Sequence, residues 1–159
     1  MKRDYPPIEV WLEVVKDLQD GEYVPPFTLT VKGNSMYPLI RNGRDQLTVK
    51  PVTGVSLKRG DIILFRANAG GLSYVLHRVY QTKGDFIQTL GDGNLYADSW
   101  IARDRVCGVV VDIDKSGRHI DPNCWWMRWM AEIWMRLLRY RAIFLKIIHF
   151  LDHREESSK

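Results

Sequence analysis

The chain has 159 residues, of which 45% are hydrophobic and 26% are charged, and its formal net charge is +4. This composition excludes a disordered tail and predicts one folded domain with a hydrophobic core. The positive charge does not indicate a nucleic-acid partner, because the excess lies in residues 123–151, which contain five Lys and Arg against one Glu.

The N-terminal segment, residues 1–26, predicts a helix. From Pro6 to Gln19 the apolar side chains recur at spacings of three and four residues, and Gly21 follows the predicted end. The opening sequence MKRDYPPIEV lacks the apolar region of a signal peptide. No run of about 18 uncharged apolar residues predicts a membrane span, so we expect a cytoplasmic or peripheral membrane protein.

Residues 27–114 predict a mainly antiparallel β-domain. Its predicted strands are short, rich in β-branched and aromatic residues, and separated by clusters of Gly, Asn and Asp. These strands are FTLTVK (27–32), QLTVKPV (46–52), DIILFRA (61–67), SYVLHRVY (73–80), DFIQTL (85–90) and RVCGVVVDI (105–113). Residues 68–71 and 83–85 are expected to form hairpin tips.

The C-terminal part predicts a polar linker at residues 115–123, one long amphipathic helix at 124–151 and a polar tail at 152–159. The charged side chains that recur along one stripe of this helix are Arg128, Glu132, Arg136 and Arg139. Apolar residues fill the rest of the circumference, and four of the six tryptophans of the chain lie there. Because tryptophan favours the membrane–water interface, the helix either lies on an anionic membrane surface or packs on its own domain or on a second copy.

The segment GNSMYPLI, residues 33–40, places Ser35 in a predicted turn. A serine hydroxyl becomes a nucleophile when a base takes its proton, and histidine is the usual base near neutral pH. Of the four histidines, only His77 lies within a predicted core strand, and Asp92 and Asp98 follow the next strand. Either carboxylate could orient the imidazole. On these residues alone, the simpler interpretation is a turn serine and a histidine packed in the core.

Five motifs in chain order extend the interpretation of Ser35: GNSMYPLI, LKRGDIILF, YVLHRV, TLGDGNLYAD and DRVCGVV. Together they resemble the type I signal peptidase family, most closely its endoplasmic-reticulum and archaeal branch. That branch has histidine followed by arginine, here His77–Arg78, where bacterial members have a catalytic lysine. The resemblance covers about residues 20–112 and implies the β-fold that this family shares with LexA-like peptidases.

The resemblance implies a serine endopeptidase that cleaves a leader or signal segment from a precursor. Ser35 matches the nucleophile, His77 the general base and Asp98 the carboxylate that orients the base. Asp92 is the alternative third member, and Met36 is expected to pack beside the substrate groove. The residues expected to hold the nucleophile turn are Gly33 and Pro38. An extended peptide is the expected partner, without a cofactor, a metal or nucleic acid.

Two other functions stay open. A LexA-like self-cleaving regulator has the same fold but uses lysine as its base, and the only Ala-Gly bond, Ala69–Gly70, lies between Ser35 and His77. A non-catalytic binding module would keep the fold and act through its C-terminal helix. Members of the signal peptidase family usually carry an N-terminal membrane anchor, whereas this chain has a short amphipathic helix at that position.

Two further patterns carry weaker interpretations. Cys107 and Cys124 match no metal or redox motif, so we expect reduced, structural thiols. The helical spacing of His149, Asp152 and His153 would suit a metal site, but the sequence offers no further ligands nearby.

Overall fold

The computed structural model of this protein describes residues 8–16, 24–52, 56–67 and 73–156. Within these ranges the chain forms a β-domain preceded by one helix and followed by two. The elements are α1 (Ile8–Lys16), β1 (Phe27–Thr30), β2 (Gln46–Pro51), β3 (Ile62–Arg66), β4 (Tyr74–Lys83), β5 (Phe86–Leu90), β6 (Trp100–Ala102), β7 (Val106–Lys115), β8 (Arg118–Ile120), α2 (Trp125–Arg136) and α3 (Arg141–Glu156). The predicted mainly β-fold with a helix at each end is confirmed.

The eight described strands form one sheet in the order β1-β2-β7-β3-β4-β5-β6, and β8 pairs with β7. Every pairing is antiparallel, as predicted. The register shifts within the β2–β7, β3–β7 and β4–β5 pairs. Such shifts bend strands and increase their twist, which lets the sheet wrap around a core.

The structure differs from the sequence prediction at two short strands, β6 and β8. The predicted polar linker at residues 115–123 instead contains a hairpin, in which β7 continues to Lys115 and turns into β8. Ser116 and Gly117 have φ angles of 58° and 89°, the pair of positive values that a tight two-residue hairpin turn requires. The predicted tip at 83–85 is a turn between β4 and β5, whereas the tip at 68–71 lies outside the described residues.

The hydrophobic core consists of two clusters on opposite faces of the sheet, and β3 contributes to both. Ile62 and Leu64 belong to a cluster that also includes Trp11 of α1. Ile63 and Phe65 belong to the second cluster. Successive strand residues point to opposite faces, so the continuous apolar run of β3 marks a strand buried on both sides.

The C-terminal segment is helical, as predicted, and a 3₁₀ turn at Leu137–Tyr140 divides it into α2 and α3. The ring centroids of Trp134 and Phe144 are 6.5 Å apart. Ten residues of straight helix would separate them by about 15 Å, so α3 folds back beside α2. Met130 of α2 and Ile148 of α3 also line one cavity of about 420 Å³. We call residues 125–156 the C-terminal hairpin.

No helix in the described part of the chain combines the length and apolarity that crossing a bilayer requires.

Candidate active site

Ser35 lies in the loop that connects β1 to β2, which we call the nucleophile loop (residues 31–45). Gly33 has a φ of 96°, in the region that glycine adopts most readily, and the Tyr37–Pro38 peptide bond is cis. Met36 is 1% exposed and belongs to the first core cluster. The side chain of Met36 therefore anchors the loop in the core, in one cluster with Leu64 and Leu76, and its role beside a substrate groove stays a prediction. The Ser35 side chain itself is half-buried.

The nucleophile loop packs tightly against a turn formed by residues 91–94. The Gly93 N–H donates a 2.8 Å hydrogen bond to the backbone oxygen of Ser35. A Cβ atom added to Gly91 would lie 2.5 Å from that same oxygen. Any larger residue at 91 would force the two loops apart, so the glycines of GDGN permit this close approach.

His77 on β4 is 7% exposed, and its side chain meets the carboxylate of Asp98. The Nδ1 atom of His77 lies 2.5 Å from Oδ2 of Asp98, and the Thr89 hydroxyl donates a 2.6 Å hydrogen bond to the same oxygen. Burial alone would raise the pKa of Asp98, but the hydrogen bonds to His77 and Thr89 outweigh it and lower the pKa. Asp98 is therefore a carboxylate at neutral pH, which keeps the proton of His77 on Nδ1 and leaves Nε2 available as an acceptor.

The other candidate carboxylate, Asp92, pairs with Arg78 instead of with His77. The Nε and Nη2 atoms of Arg78 lie 3.0 and 2.7 Å from the two oxygens of Asp92, and both side chains are about 3% exposed. Arg78 also donates to the backbone oxygen of Gly60 at 2.7 Å. Neighbouring residues on a strand point to opposite faces, so His77 and Arg78 reach different carboxylates. The Arg78–Asp92 pair supports the 91–94 turn rather than the imidazole.

The structure brings Ser35 close to the 91–94 turn without joining it to His77. Within the described residues, the hydroxyl and the N–H of Ser35 have no hydrogen-bond partner. Catalytic hydrogen bonds are often long or absent before substrate binds. An unengaged N–H beside a serine hydroxyl is also the type of donor that stabilises a developing oxyanion.

Ser35 lines a groove of about 600 Å³. The other described residues that line it are Phe27, Thr28, Leu29, Thr30, Val31, Lys32, Leu64, Tyr74, Val75 and Leu76. They come from β1, β3 and β4 and from the start of the nucleophile loop. β1 pairs only with β2 among the described strands, so its second edge is open to another extended segment.

Two residues at the site, Tyr37 and Arg141, were not singled out from the sequence as functional, and Asp152 was considered only as a metal ligand. The hydroxyl of Tyr37 donates a 2.6 Å hydrogen bond to Asp152, and its ring stacks on His149 with centroids 4.5 Å apart. Arg41 lies 3.4 Å from the other carboxylate oxygen of Asp152. The end of α3 is therefore fixed to the nucleophile loop.

Arg141, at the start of α3, is fully buried behind the 91–94 turn. It donates hydrogen bonds of 2.9–3.0 Å to the backbone oxygens of Gly91, Asn94 and Trp134. The indole N–H of Trp134 donates to the backbone oxygen of Asp92 at 2.9 Å. The one sequence signal for this role is an arginine directly before the apolar run AIFL.

Among the residues that the structure describes, no three His, Cys, Asp or Glu side chains cluster as the ligands of a metal ion would. Asp152, the carboxylate of the metal interpretation, is engaged by Tyr37 and Arg41.

An antiparallel β-domain of this kind, with a serine loop and a buried histidine paired with an aspartate, is typical of a serine-peptidase type of fold. The sequence profile of the family described as Peptidase S24-like matches residues 12–111, which is more than half of the chain. The chain therefore belongs to the Peptidase S24-like family. A search of curated proteins gave no significant match. The matched region contains Ser35, His77 and Asp98 and ends before the C-terminal hairpin.

Proposed function

We propose that this protein is a serine endopeptidase of the signal-peptidase type, which cleaves a leader or signal segment from a precursor. The observation that carries the proposal is the 2.5 Å contact between His77 Nδ1 and Asp98 in a member of a peptidase family. In this proposal Ser35 is the nucleophile, His77 the general base and Asp98 the carboxylate that orients it. Asp92 supports the neighbouring turn through Arg78.

The proposed reaction begins when Nε2 of His77 takes the proton from the Ser35 hydroxyl as its oxygen attacks the scissile carbonyl. The backbone N–H of Ser35 stabilises the oxyanion of the tetrahedral intermediate. His77 then gives the proton to the leaving amine, the peptide C–N bond breaks and an ester remains on Ser35. A water molecule, deprotonated by His77, hydrolyses this ester and restores the free hydroxyl.

The groove beside Ser35 supports an extended substrate. A peptide strand that adds to the open edge of β1 would form backbone hydrogen bonds and would run along the groove towards Ser35. The side chains of Thr28, Thr30 and Leu76 line this path and suit apolar or small side chains. The resemblance to signal peptidases likewise implies small side chains beside the scissile bond.

The family match also favours a second candidate, a self-cleaving regulator of the LexA-like kind. That class uses lysine as the base, whereas the position that the resemblance matches holds His77. That class also cuts upstream of its catalytic domain, whereas the only Ala-Gly bond of this chain, Ala69–Gly70, lies between Ser35 and His77 and outside the described residues. The two functions differ in one measurable property, because a self-cleaving chain converts itself into two fragments and a leader peptidase stays intact.

The experiment that tests the proposal compares protein N-termini in cells that carry either the parent protein or Ser35→Ala. We expect a set of N-termini that follow small residues to disappear with Ser35→Ala and with His77→Ala, while their uncleaved precursors accumulate. The control is Ser56→Ala, which changes an exposed serine in a different loop. An unchanged set of N-termini in Ser35→Ala would rule out peptidase activity through Ser35. Fragmentation of the purified parent at 69–70 would favour the self-cleaving regulator.

A further inference from the structure

The C-terminal hairpin exposes a large apolar surface. Among the described residues, fifteen large hydrophobic side chains are at least 40% exposed, and ten of them belong to this hairpin. These ten are Trp125, Trp126, Trp129, Met130, Tyr140, Ile143, Phe144, Ile147, Phe150 and Leu151. Apolar side chains that are exposed singly are common, but a concentration on one element indicates an interaction surface.

The helix α2 packs on the β-domain through a narrow apolar strip beside its charged stripe, which leaves Trp125 and Trp129 outward. Arg128 contacts Asp61 at 2.8 Å, and Glu132 contacts Arg59 at 2.8 Å. Trp125 is 81% exposed. The buried residues of α2 are the narrow strip Met127, Ala131 and Met135. The helix thus docks on its own domain without burying its outer tryptophans. The sequence pattern alone had not decided whether the helix packs on its own domain, on a second copy or on a membrane.

The charges on the outer surface of the hairpin complement an anionic partner. The described acidic side chains of the hairpin are neutralised within the protein. Glu132 pairs with both Arg59 and Arg136, and Asp152 pairs with Arg41. Lys146 and Arg139 are exposed and have no ion-pair partner among the described residues. Free positive charge beside exposed Trp, Ile and Phe is the pattern of a helix that lies in the headgroup layer of an anionic bilayer.

We propose that the C-terminal hairpin docks this protein onto the surface of an anionic lipid bilayer. Trp125 and Trp129 of α2 and Ile147 and Phe150 of α3 enter the headgroup layer, and Lys146 contacts the lipid phosphates. A symmetric contact with a second copy would use the same surface on both chains and would place both copies of Lys146 and Arg139 in one interface without a described acidic side chain to pair with them, which disfavours it. This inference does not depend on the peptidase activity, because binding to lipid is measured without turnover.

The test uses the full-length purified protein and vesicles of phosphatidylcholine, either alone or with about one-third phosphatidylglycerol. We expect the protein to float with the phosphatidylglycerol vesicles at low salt, to shift its tryptophan emission to the blue, and to release at high salt. Phe150→Glu should weaken this binding by at least about tenfold, because it removes a large side chain from the apolar contact. The matched control is Phe86→Glu, since Phe86 is 54% exposed on β5, away from the hairpin.

A second variant tests the charge separately from the apolar contact. Lys146→Gln combined with Arg139→Gln should reduce binding to phosphatidylglycerol vesicles several-fold and reduce its salt dependence. Circular dichroism and thermal unfolding verify that each variant folds. The proposal is overturned if the parent ignores phosphatidylglycerol vesicles at low salt, or if Phe86→Glu loses as much binding as Phe150→Glu. Concentration-dependent dimers that Phe150→Glu abolishes, without vesicle binding by the parent, would assign the surface to a second copy.

Discussion

Asp152, near the end of α3, accepts a 2.6 Å hydrogen bond from the hydroxyl of Tyr37, two residues after Ser35. Burial, followed by the hydrogen bond to Asp152, raises the pKa of Tyr37 to about 12, so the phenol keeps its proton at any physiological pH. The ring of Tyr37 also stacks on His149. A helix beyond the matched family region thus holds the loop that carries the proposed nucleophile.

The first prediction concerns this contact between helix and loop. Tyr37→Phe removes the hydroxyl and keeps the ring stacked on His149, so it isolates the hydrogen bond to Asp152. A net hydrogen bond contributes about 0.5–1.5 kcal/mol, so we expect urea denaturation to show a loss of this size. Turnover of a cleaved precursor should fall by up to about tenfold, because the loop that holds Ser35 becomes less fixed.

The control for Tyr37→Phe is Tyr140→Phe, which removes the hydroxyl of a tyrosine that is 55% exposed. Asp152→Asn should resemble Tyr37→Phe in turnover, since it weakens the same contact. Equal turnover in the parent and in both variants would mean that α3 does not position the nucleophile loop.

The second prediction concerns Arg141, whose guanidinium joins α3 to the turn that touches Ser35. Arg141→Lys keeps the positive charge but loses the planar fork that reaches three backbone oxygens. Each buried acceptor that loses its donor costs about 1–3 kcal/mol, so we expect a loss of roughly 2–4 kcal/mol in the free energy of unfolding. Urea denaturation measures this loss.

Arg139→Lys is the matched control for Arg141→Lys, because Arg139 is exposed on the adjoining 3₁₀ turn. Its unfolding free energy should stay within about 0.5 kcal/mol of the parent value. If both variants lose the same stability, the buried guanidinium is not what holds the 91–94 turn.

The third prediction separates the two aspartates by the property that each controls. Asp98→Asn should lower turnover on the order of 10⁴-fold at neutral pH, because an amide at this position favours the wrong tautomer of His77. Asp92→Asn should instead destabilise the fold by about 3–5 kcal/mol, because it leaves the buried charge of Arg78 unpaired. Both substitutions keep the shape of the side chain. The cleavage rate should therefore fall mainly in Asp98→Asn, and urea denaturation should show the loss of stability mainly in Asp92→Asn.

A reversal of this pattern would contradict the proposed roles. If Asp98→Asn cleaves at the parent rate while folded Asp92→Asn is inactive, the third member of the triad is Asp92.

The sequence predicted the strands that alternate locally, and it missed features that depend on distant partners. Alternation finds β2 and a continuous apolar run finds β3, but β8 depends on Ser116 adopting a positive φ, which is uncommon for a residue other than glycine. Asp92 and Asp98 follow the same strand, so only the alternation of His77 and Arg78 across the sheet decides which carboxylate each one meets.

The outward orientation of Trp125 and Trp129 could not be predicted for a similar reason. Apolar residues lie on both sides of the charged stripe of α2, and either side could pack on the domain. The decision depends on Arg59 and Asp61, about 70 residues earlier in the chain, which offer charges to the stripe. The buried position of Arg141 was equally hidden, because its partners are backbone oxygens of the 91–94 turn and of Trp134.

The last prediction uses pH to test how α2 is held on the β-domain. Hydrogen bonds from Arg59 and then Arg136 lower the pKa of Glu132 below its ordinary value near 4.5, against a smaller opposing effect of burial. A carboxyl whose pKa is lower in the folded state stabilises the fold above its unfolded pKa, and this contribution disappears as pH falls through the folded pKa. Glu132→Gln lacks the titrating group and so lacks this dependence.

Urea denaturation of the parent and of Glu132→Gln at pH values from about 3 to 6 measures the effect. We expect the parent to be the more stable protein above about pH 5, and the difference to shrink as pH falls below the ordinary carboxyl range. Other titrating groups are common to both proteins, so they cancel in the difference. Arg59→Gln removes the partner with the larger effect on the pKa of Glu132. In that background, Glu132→Gln should change the pH dependence of the free energy of unfolding by less. A difference that stays constant from pH 6 to pH 3 would show that the charge of Glu132 does not hold α2 in place.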